Sequence, residues 1–494
     1  MMQVRFRLLL ALVLTLVAWA PPVGAQTPAP ATPAPTGPTP APGPAAAPGT
    51  MPAPATPAMS MPPREPLTPP TGIRPFATPQ EIVGRELGLE EAVNIGLENA
   101  PVIVARIGDY IASQQRVNQA MSPMFPQLSS SGNYGRARQI SPASGGSATN
   151  DFGSINATLS QLLWDFGRTW AAKDVAKYTA DAVKEVLETQ KLDIAQLVKT
   201  QYFTLLLSKR LVQVNLAALE RAEVNLRSAQ GFFQVGTQPK SFVTRAEVDV
   251  ANARVNVIRA QNAVNLARVA LNTAMGVAIN SPTEVRDLLS YQQFATDRSQ
   301  LVSEALHNRP EYRQVKAQFD AAEASVRETF RDFFPNLFAS GTYGLTGVTG
   351  GPAFNQRITN GFVDYGNQWN VGLTLNWNIF DGGNRVARYK EAKANVEASQ
   401  ARVRDTELQI WQNVEQSYLN LGESEERIGA AQKAVESAGE NYQLARGRFD
   451  AGVANIIELT DAQLALTQAQ SDEAQALADY RIAIARLERA LGRR

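Results

Sequence analysis

The stretch Trp369-Asn-Val-Gly-Leu-Thr-Leu-Asn-Trp-Asn-Ile379 places an apolar residue at every odd position and a polar residue or glycine at every even one. This period of two predicts a β-strand with one apolar face. A membrane-spanning strand needs ~9–11 residues with aromatic side chains near both interfaces, and Trp369 and Trp377 fit that pattern. The predicted membrane-facing side chains are Trp369, Val371, Leu373, Leu375 and Trp377.

A weaker form of the same alternation occurs earlier in the chain, at Ser154–Leu163, where Gln161 interrupts the apolar face. A soluble β-sandwich strand would alternate in the same way. Gly- and Ser-rich segments that follow Pro126 and Pro335 are the other two strands, which predicts four strands per chain. Four strands form too small a sheet to bury the long helices that follow them, so a membrane barrel is the better interpretation.

The strands belong to one unit that the sequence contains twice. The first copy spans residues 87–276 and the second residues 299–492, with an inter-repeat linker at residues 277–298. Positions match at an offset of 209 residues up to the strands and of 216 residues beyond them. The matching positions include Phe125-Pro126 with Phe334-Pro335, Tyr202 with Tyr418, and Gly236 with Gly452. Such self-similarity predicts a duplicated fold.

Each copy has the pattern helix, strand, loop, strand, long helix, tight turn, helix. The long helices follow Asp165 and Asp381, which can cap them, and continue without proline to Gly236 and Gly452. Apolar residues recur in them every seven positions, which predicts coiled-coil-like packing. The two series are Val198, Leu205, Val212, Leu219, Leu226, Phe233 and Val414, Leu421, Ile428, Val435, Tyr442, Phe449. Helices of about half that length are predicted at Leu89–Ser122 and Phe242–Met275.

The N-terminal region has two parts that differ from the repeats. Residues 1–25 carry two arginines, an apolar run and a small-residue cleavage pattern, which predict a secretory signal peptide. Residues 26–80 hold 19 of the 30 prolines and predict a disordered arm. The arm is either a flexible spacer or a segment that binds the cell wall or a partner protein.

The composition argues against enzymes and metal proteins. The chain has no cysteine and one histidine, His307, and it lacks the GxxxxGK, HExxH and GxSxG motifs. We therefore expect no catalytic residue, no metal site and no cofactor. The formal charge of +1 gives no reason to expect a nucleic-acid partner.

These features together resemble the TolC family of outer-membrane efflux proteins, and the resemblance covers nearly all of residues 87–492. Its most specific marks are the duplication and three turns. The turns are Trp164-Asp-Phe-Gly-Arg, Phe380-Asp-Gly-Gly-Asn, and the segment from Arg448 through Gly452 to Gln463. The resemblance implies a mainly α chain with a transmembrane β-barrel. In such a homotrimer each chain gives four strands to one twelve-stranded barrel and its helices to a long periplasmic α-barrel.

The resemblance also implies a location and partners. The barrel would lie in the lipid of the bacterial outer membrane and the helices in the periplasm, where a periplasmic adaptor protein connects the channel to an inner-membrane transporter. The adaptor-contacting tips would be Gly236, Thr237, Gly452 and Val453. Two acidic positions after the second tip glycine, which line the closed entrance in the family, are Glu458 and Asp461 here.

This sequence departs from the family at the gate. An aromatic hydroxyl that often helps to close it is replaced by Phe449, a basic residue by Ala454 and an acidic residue by Phe242. Glu458 has a second interpretation, since with Asn455 as N-cap it is the third helical residue and can bond back to the cap. Asp461 could equally lie on a solvated helix face.

Three functions remain open. The first is a passive exit duct for small molecules in a tripartite efflux pump. The second is the exit duct of a type I protein secretion system, which the sequence does not separate from the first. The third, a periplasmic coiled-coil structural or adaptor protein, would leave the alternation at Trp369–Ile379 unexplained.

Overall fold

The computed structural model describes residues 85–140, 147–294, 298–348 and 365–494. These residues belong to a single compact unit, Pro69–Arg494. Two predicted segments lie outside the described residues. They are the signal peptide at residues 1–25 and the Pro-rich arm at residues 26–80.

The same order of elements occurs twice. The first set is β1 (Glu86–Leu87), α1 (Leu89–Asn99), α2 (Pro101–Met121), β2 (Gln127–Ile140), β3 (Ser147–Trp164), α3 (Arg168–Gln234) and α4 (Lys240–Met275). The second set is β4 (Glu284–Val285), α5 (Arg298–Asn308), α6 (Pro310–Arg331), β5 (Asn336–Val348), β6 (Tyr365–Asn376), α7 (Asn384–Asp450) and α8 (Ile456–Ala490). The mainly helical fold with an internal duplication is therefore confirmed.

The predicted single helix Leu89–Ser122 is wrong, because the chain breaks it at Ala100. Ala100 has extended backbone angles, φ −63° and ψ 117°, and the next helix begins at Pro101. A proline disfavours helical angles in the residue before it, so α1 must end there. The second copy repeats the break, with Arg309 at φ −69° and ψ 123° before Pro310.

Each break is packed against a glycine that ends the returning helix. Gly276 has φ 68°, and a Cβ placed on it would lie 2.6 Å from the backbone oxygen of Asn99. Gly492 repeats the arrangement, with φ 76° and a Cβ position 3.0 Å from the carbonyl carbon of Asn308. Only glycine fits both the positive φ and the close backbone contact.

The two long helices have the same length, 67 residues each, or about 100 Å. Their heptad positions behave differently along that length. In α7, Tyr442 and Phe449 at the far end are still buried. In α3 the series begins buried at Val198 and ends exposed at Phe233. Phe449 belongs to an apolar cluster at the end of α7 and Phe233 lies outside that cluster, so the two copies pack differently at this end.

The linker between the copies is held at its start by a small parallel sheet. Strand β4 pairs with β1, so that Leu87 lies beside Val285. The buried hydroxyl of Tyr202 on α3 lies 3.0 Å from the carbonyl oxygen of Leu87 and 2.8 Å from that of Arg286. Burial raises the pKa of Tyr202 to about 12, which keeps the hydroxyl protonated as a donor.

The long strands form one antiparallel sheet in the order β2-β3-β5-β6. Both hairpins, β2–β3 and β5–β6, come from single copies, and the contact between β3 and β5 joins the copies. Strands β2 and β6 are thus the two edges of the sheet.

The packing of the glycine against the helix break can be tested by Gly276→Ala, with Gly236→Ala as the matched control. Both glycines have a positive φ, 68° and 74°, but only Gly276 faces backbone atoms, since Gly236 faces open space. Alanine at a positive φ costs ~1–2 kcal/mol at either site. The collision should add about 1–3 kcal/mol at Gly276 alone. Thermal unfolding in mild detergent measures the difference, and equal shifts for both variants would contradict the proposed contact.

Candidate functional site

One face of the large sheet is apolar and exposed. Register places Leu373 opposite Ala339 and Trp369 opposite Tyr343, so these side chains share a face. The face continues across β3 and β2 through Ile155, Ala157, Leu159, Leu128 and Tyr134. The five side chains predicted to face the membrane, Trp369, Val371, Leu373, Leu375 and Trp377, are between 55% and 79% exposed. Such a large apolar surface on a folded chain indicates a contact with lipid or protein.

The opposite face of the sheet is mostly polar. Thr158 and Thr342 are paired there, with their hydroxyl oxygens 3.1 Å apart. Asn370 of β6 lies opposite Thr342, on the same face as Thr374. Gln161, the exception in the sequence pattern, lies opposite Ala339 on the apolar face. Its amide donates to the carbonyl oxygens of Met124 and Leu162 at 2.8 and 2.9 Å, so this polar group is satisfied by backbone.

The strand predicted at Trp369–Ile379 has different ends in the structure. Strand β6 begins at Tyr365 and stops at Asn376, so Trp377 lies just beyond it. The indole of Trp377 donates to the carbonyl oxygen of Phe333 at 3.2 Å, which ties the strand end to the segment after α6. The apolar–polar alternation of the sequence extends beyond Asn376 because Trp377, after the end of the strand, is exposed as well.

The edges of the sheet have unused hydrogen-bonding capacity. Among the described residues, β2 pairs only with β3 and β6 only with β5. Each edge strand therefore presents a row of backbone N–H and C=O groups to another strand.

The helix pairs α3–α4 and α7–α8 end in matching turns. Gly236 and Gly452 have φ 74° and 76°. The amide of Thr237 donates to the carbonyl of Phe232 at 3.0 Å, and that of Val453 to the carbonyl of Arg448 at 3.0 Å. These bonds close the helix ends as Schellman motifs, which require the glycines. Gly236, Thr237, Gly452 and Val453 are all exposed, so the predicted contact residues lie at the surface of the turns.

An apolar cluster lies directly behind the turns, and we call it the tip cluster. It consists of Ala229, Ala246, Tyr442, Ala445, Phe449, Ala454, Ile456, Leu459, Ala462 and Leu466, with Phe232 and Phe242 packed against it. The rings of Phe449 and Phe232 meet edge to face with centroids 5.6 Å apart. The three positions that depart from the family, Phe449, Ala454 and Phe242, thus lie in one apolar contact region.

The predicted gate residues differ in burial. Phe449 is buried in the tip cluster, whereas Asp461 is exposed on α8. Glu458 lies on the same side of α8 as Asp461, three residues earlier, and its carboxylate is 2.8 Å from the guanidinium of Arg448. Asn455 is the N-cap, as predicted, and its side-chain oxygen accepts from the amide of Ile457 at 3.3 Å.

The sequence did not reveal Arg448 as the partner of Glu458. The two residues are ten positions apart, on either side of the tip turn, and only the turn geometry brings them together. The sequence did contain one signal for this pair. Arg448 lies in the last turn of α7 and Glu458 in the first turn of α8, where opposite charges can meet across a turn.

A polar contact between α3 and α8 was also missed. The half-buried Arg221 donates to Thr467 and Gln470 at 3.3 Å each, and Asn225 donates to Gln463 at 2.7 Å. Burial lowers the pKa of the Arg221 guanidinium. Polar groups inside a seam of helices fix its register, because displacement leaves them unpaired.

The helices expose apolar residues at two edges. Helix α3 packs against α1, α2, α4, α6 and α8, whereas α7 packs against α5, α6 and α8. Helix α7 is therefore one edge, and α2 with α4 the other. Exposed apolar side chains are Leu408, Trp411, Leu419 and Leu444 on α7, Val102, Ile107 and Ile111 on α2, and Val248, Val255, Ile258 and Leu266 on α4.

Two features are absent from the described residues. No helix among them combines the length and apolarity needed to cross a membrane. No group of acidic or histidine side chains in the same part of the chain could hold a metal ion.

Comparison with known proteins gives consistent matches. The family model described as outer membrane efflux protein matches residues 93–277 and 301–493. The chain is 23% identical to outer membrane protein TolC of Escherichia coli K12 over 398 residues, which covers 79% of each protein. It is 26% identical to the alkaline protease secretion protein AprF of Pseudomonas aeruginosa over 427 residues, covering 81% of this chain and 83% of AprF.

A solved structure shows the same fold. The outer-membrane channel OprN superposes with a TM-score of 0.69 at 20% sequence identity, covering 82% of this chain and 89% of that one.

The role of Phe449 can be tested against its counterpart in the first copy, Phe233. The two phenylalanines occupy equivalent positions, but Phe449 is 2% exposed and Phe233 is 44% exposed. Phe449→Ala should destabilise the tip by about 3–5 kcal/mol because it opens a cavity, and Phe233→Ala should cost much less. Hydrogen exchange at the ends of α7 and α8 measures the local effect, and similar exchange in both variants would show that the tip cluster is not the main local contact.

Proposed function

The chain belongs to the outer membrane efflux protein family, and we propose that it is the outer-membrane exit duct of a tripartite efflux pump. In this role it conducts small molecules passively from an inner-membrane transporter and a periplasmic adaptor to the outside. The observation that carries the proposal is the four-stranded sheet with an exposed apolar face and two open edges. A passive duct requires no catalytic group, and its energy comes from the transporter.

The open edges support a homotrimer whose sheets close into one twelve-stranded barrel. The duplication suggests how they meet, since β6 is equivalent to β3 and β2 to β5. In the chain, Thr158 of β3 lies opposite Thr342 of β5. Applying the offsets of 216 and 209 residues places Thr374 of one protomer opposite Asn133 of the next. The apolar edges of the helix array, on α7 and on α2 with α4, would be covered by the same contact.

The tip turns support contact with a periplasmic adaptor. Val235 and Val453 are each 71% exposed at the turns, so their apolar side chains are accessible to another protein. We propose that Gly236, Thr237, Gly452 and Val453 form the surface that the adaptor binds.

The gate proposal is changed by the ion pair at Glu458. Arg448 neutralises much of the charge of Glu458, so Asp461 is the stronger contributor to a negative ring at the entrance. The tip cluster around Phe449 would hold the entrance closed by apolar contacts, in place of a hydroxyl.

A second candidate is supported by the match to AprF, a protein named for secretion of alkaline protease. In that case the duct would serve a type I secretion system and pass a polypeptide. Deletion of the gene separates the two functions. Increased sensitivity to small toxic compounds with an unchanged set of secreted proteins supports the efflux pump, and the reverse pattern supports secretion.

The membrane position of the sheet can be tested by Leu373→Arg, with Thr374→Arg as the control. Leu373 is exposed on the apolar face and Thr374 is its neighbour on the polar face. A charge facing lipid should destabilise the trimer by ~2–4 kcal/mol, and a charge facing the lumen much less. Heat-induced dissociation of the trimer, isolated from outer membranes in mild detergent, is the measurement. Equal tolerance of the two variants would show that the faces are assigned wrongly.

The charge at the entrance can be tested by three variants. Asp461→Asn should lower cation selectivity in planar bilayers because a ring of three carboxylates attracts cations. Glu458→Gln should lower it less, and Arg448→Gln should raise it, because the pair between them is then broken. Unchanged selectivity in all three would make these residues ordinary helix-end side chains.

A further inference from the structure

A continuous row of aromatic rings leads from the apolar face of the sheet to the helices. Trp164 pairs with Leu337 and so lies on the apolar face. Its ring meets Phe166 at 6.0 Å between centroids, and Phe166 stacks on Phe334 at 5.1 Å. Phe330 is 5.7 Å from Phe334 and 6.0 Å from Tyr389 on α7. We call these five residues the aromatic row.

Phe166 holds its place in the row in an unfavourable backbone conformation. It is the non-glycine residue with positive φ among the described residues, at 54°, and its counterpart in the second copy is Gly382, at 68°. A side chain at positive φ is strained, so the contacts of the ring must offset that strain. Because Phe166 remains 44% exposed, part of its surface is still available to a partner outside the chain.

The row ends at a lysine, and a second lysine occurs on α3. The ammonium of Lys393 lies 4.6 Å from the ring centre of Tyr389, and that of Lys173 lies 5.0 Å from the ring of Trp170. Both helices start at the sheet, and helical side chains tilt towards the N-terminus, so both lysines point back towards the strands.

These lysines differ from the neighbouring arginines in their charge balance. Arg168 and Arg388 both pair with the carboxylate of Asp332, at 2.7 and 3.3 Å. Neither Lys173 nor Lys393 makes an ion pair within the part of the chain that the structure describes, so both ammonium groups are open to an anion.

Their distance from the sheet fits the headgroup layer of a membrane. Lys173 lies five residues after the start of α3 and Lys393 nine after the start of α7, or ~7 and ~13 Å along the helix axes. A lysine side chain reaches back by several ångströms towards the interface, and the headgroup layer on one side is about 5–8 Å thick.

We propose that Lys173, stacked on Trp170, and Lys393, stacked on Tyr389 of the aromatic row, bind the phosphate groups of anionic phospholipids in the periplasm-facing leaflet. The inference rests on the proposed membrane position of the sheet. The rings contact the upper part of the acyl chains, and the lysines select negatively charged headgroups.

The test measures lipid binding to the full-length, delipidated trimer in mild detergent by native mass spectrometry. The probes are phosphatidylglycerol, which is anionic, and phosphatidylcholine, which carries phosphate but no net charge. The variant is Lys173→Gln with Lys393→Gln. The control is Lys316→Gln, since Lys316 stacks on Tyr312 at 4.5 Å in the same way but lies ~22 Å before the sheet end of α6.

The wild type and the Lys316→Gln control should both prefer phosphatidylglycerol. Each lysine removed should lower that affinity about fivefold, so the double variant should lose at least tenfold and bind both lipids alike. Equal phosphatidylglycerol affinity in wild type and double variant would overturn the proposal, as would an equal loss in the control. The proposal would also be overturned if inorganic phosphate, at the same concentration as the lipid, displaced all of the phosphatidylglycerol, because the site would then bind a free anion. If the proposed membrane function itself is wrong, the protein will be a monomer that stays soluble without detergent. That result is seen before any lipid is added, so it is distinguishable from a failure of lipid binding.

Discussion

The unpaired backbone of two edge strands is the constraint on which the rest of the structure depends. Strands β2 and β6 each have one neighbour among the described residues, and the sheet between them is apolar on one exposed face. Backbone polar groups next to lipid must be hydrogen bonded, so a four-stranded sheet cannot enter a membrane alone. Closure with other copies, as proposed above, would satisfy the edges and would also cover the apolar helix edges on α7, α2 and α4.

The end of the helices at the tip turns, away from the sheet, is stabilised by apolar contacts and by a few polar ones. The tip cluster around Phe449 is apolar, the Arg448–Glu458 pair lies at its surface, and the α3–α8 seam above it contains the polar contacts of Arg221 and Asn225. Exposed ion pairs contribute little to stability, whereas buried polar groups must stay paired. The apolar cluster therefore supplies most of the local stability, and the polar seam fixes how α8 lies on α3.

Much of this fold could be predicted from local patterns in the sequence. Alternation of neighbouring side chains predicted the face of β6, and residue matches at fixed offsets predicted the duplication, because both patterns can be read directly from the sequence. The break at Ala100 was missed although Pro101 was visible. The ion pair of Arg448 with Glu458 and the different burial of Phe233 and Phe449 could not be found in this way. They depend on how the tip turns place residues of different helices in space, which a heptad count does not contain.

The central claim, closure of neighbouring protomers through β2 and β6, can be tested by disulfide cross-linking because the chain has no cysteine. Asn133→Cys combined with Thr374→Cys should give covalent trimers on a non-reducing gel, since the duplication places these positions opposite each other between protomers. Within one chain they lie on opposite edges of the sheet, three strand spacings apart and eight residues out of register, or about 30 Å, too far for a disulfide. Ser129→Cys with Thr374→Cys, four residues out of register, should remain uncross-linked. Monomers alone from the first pair, or equal cross-linking from both pairs, would contradict the account.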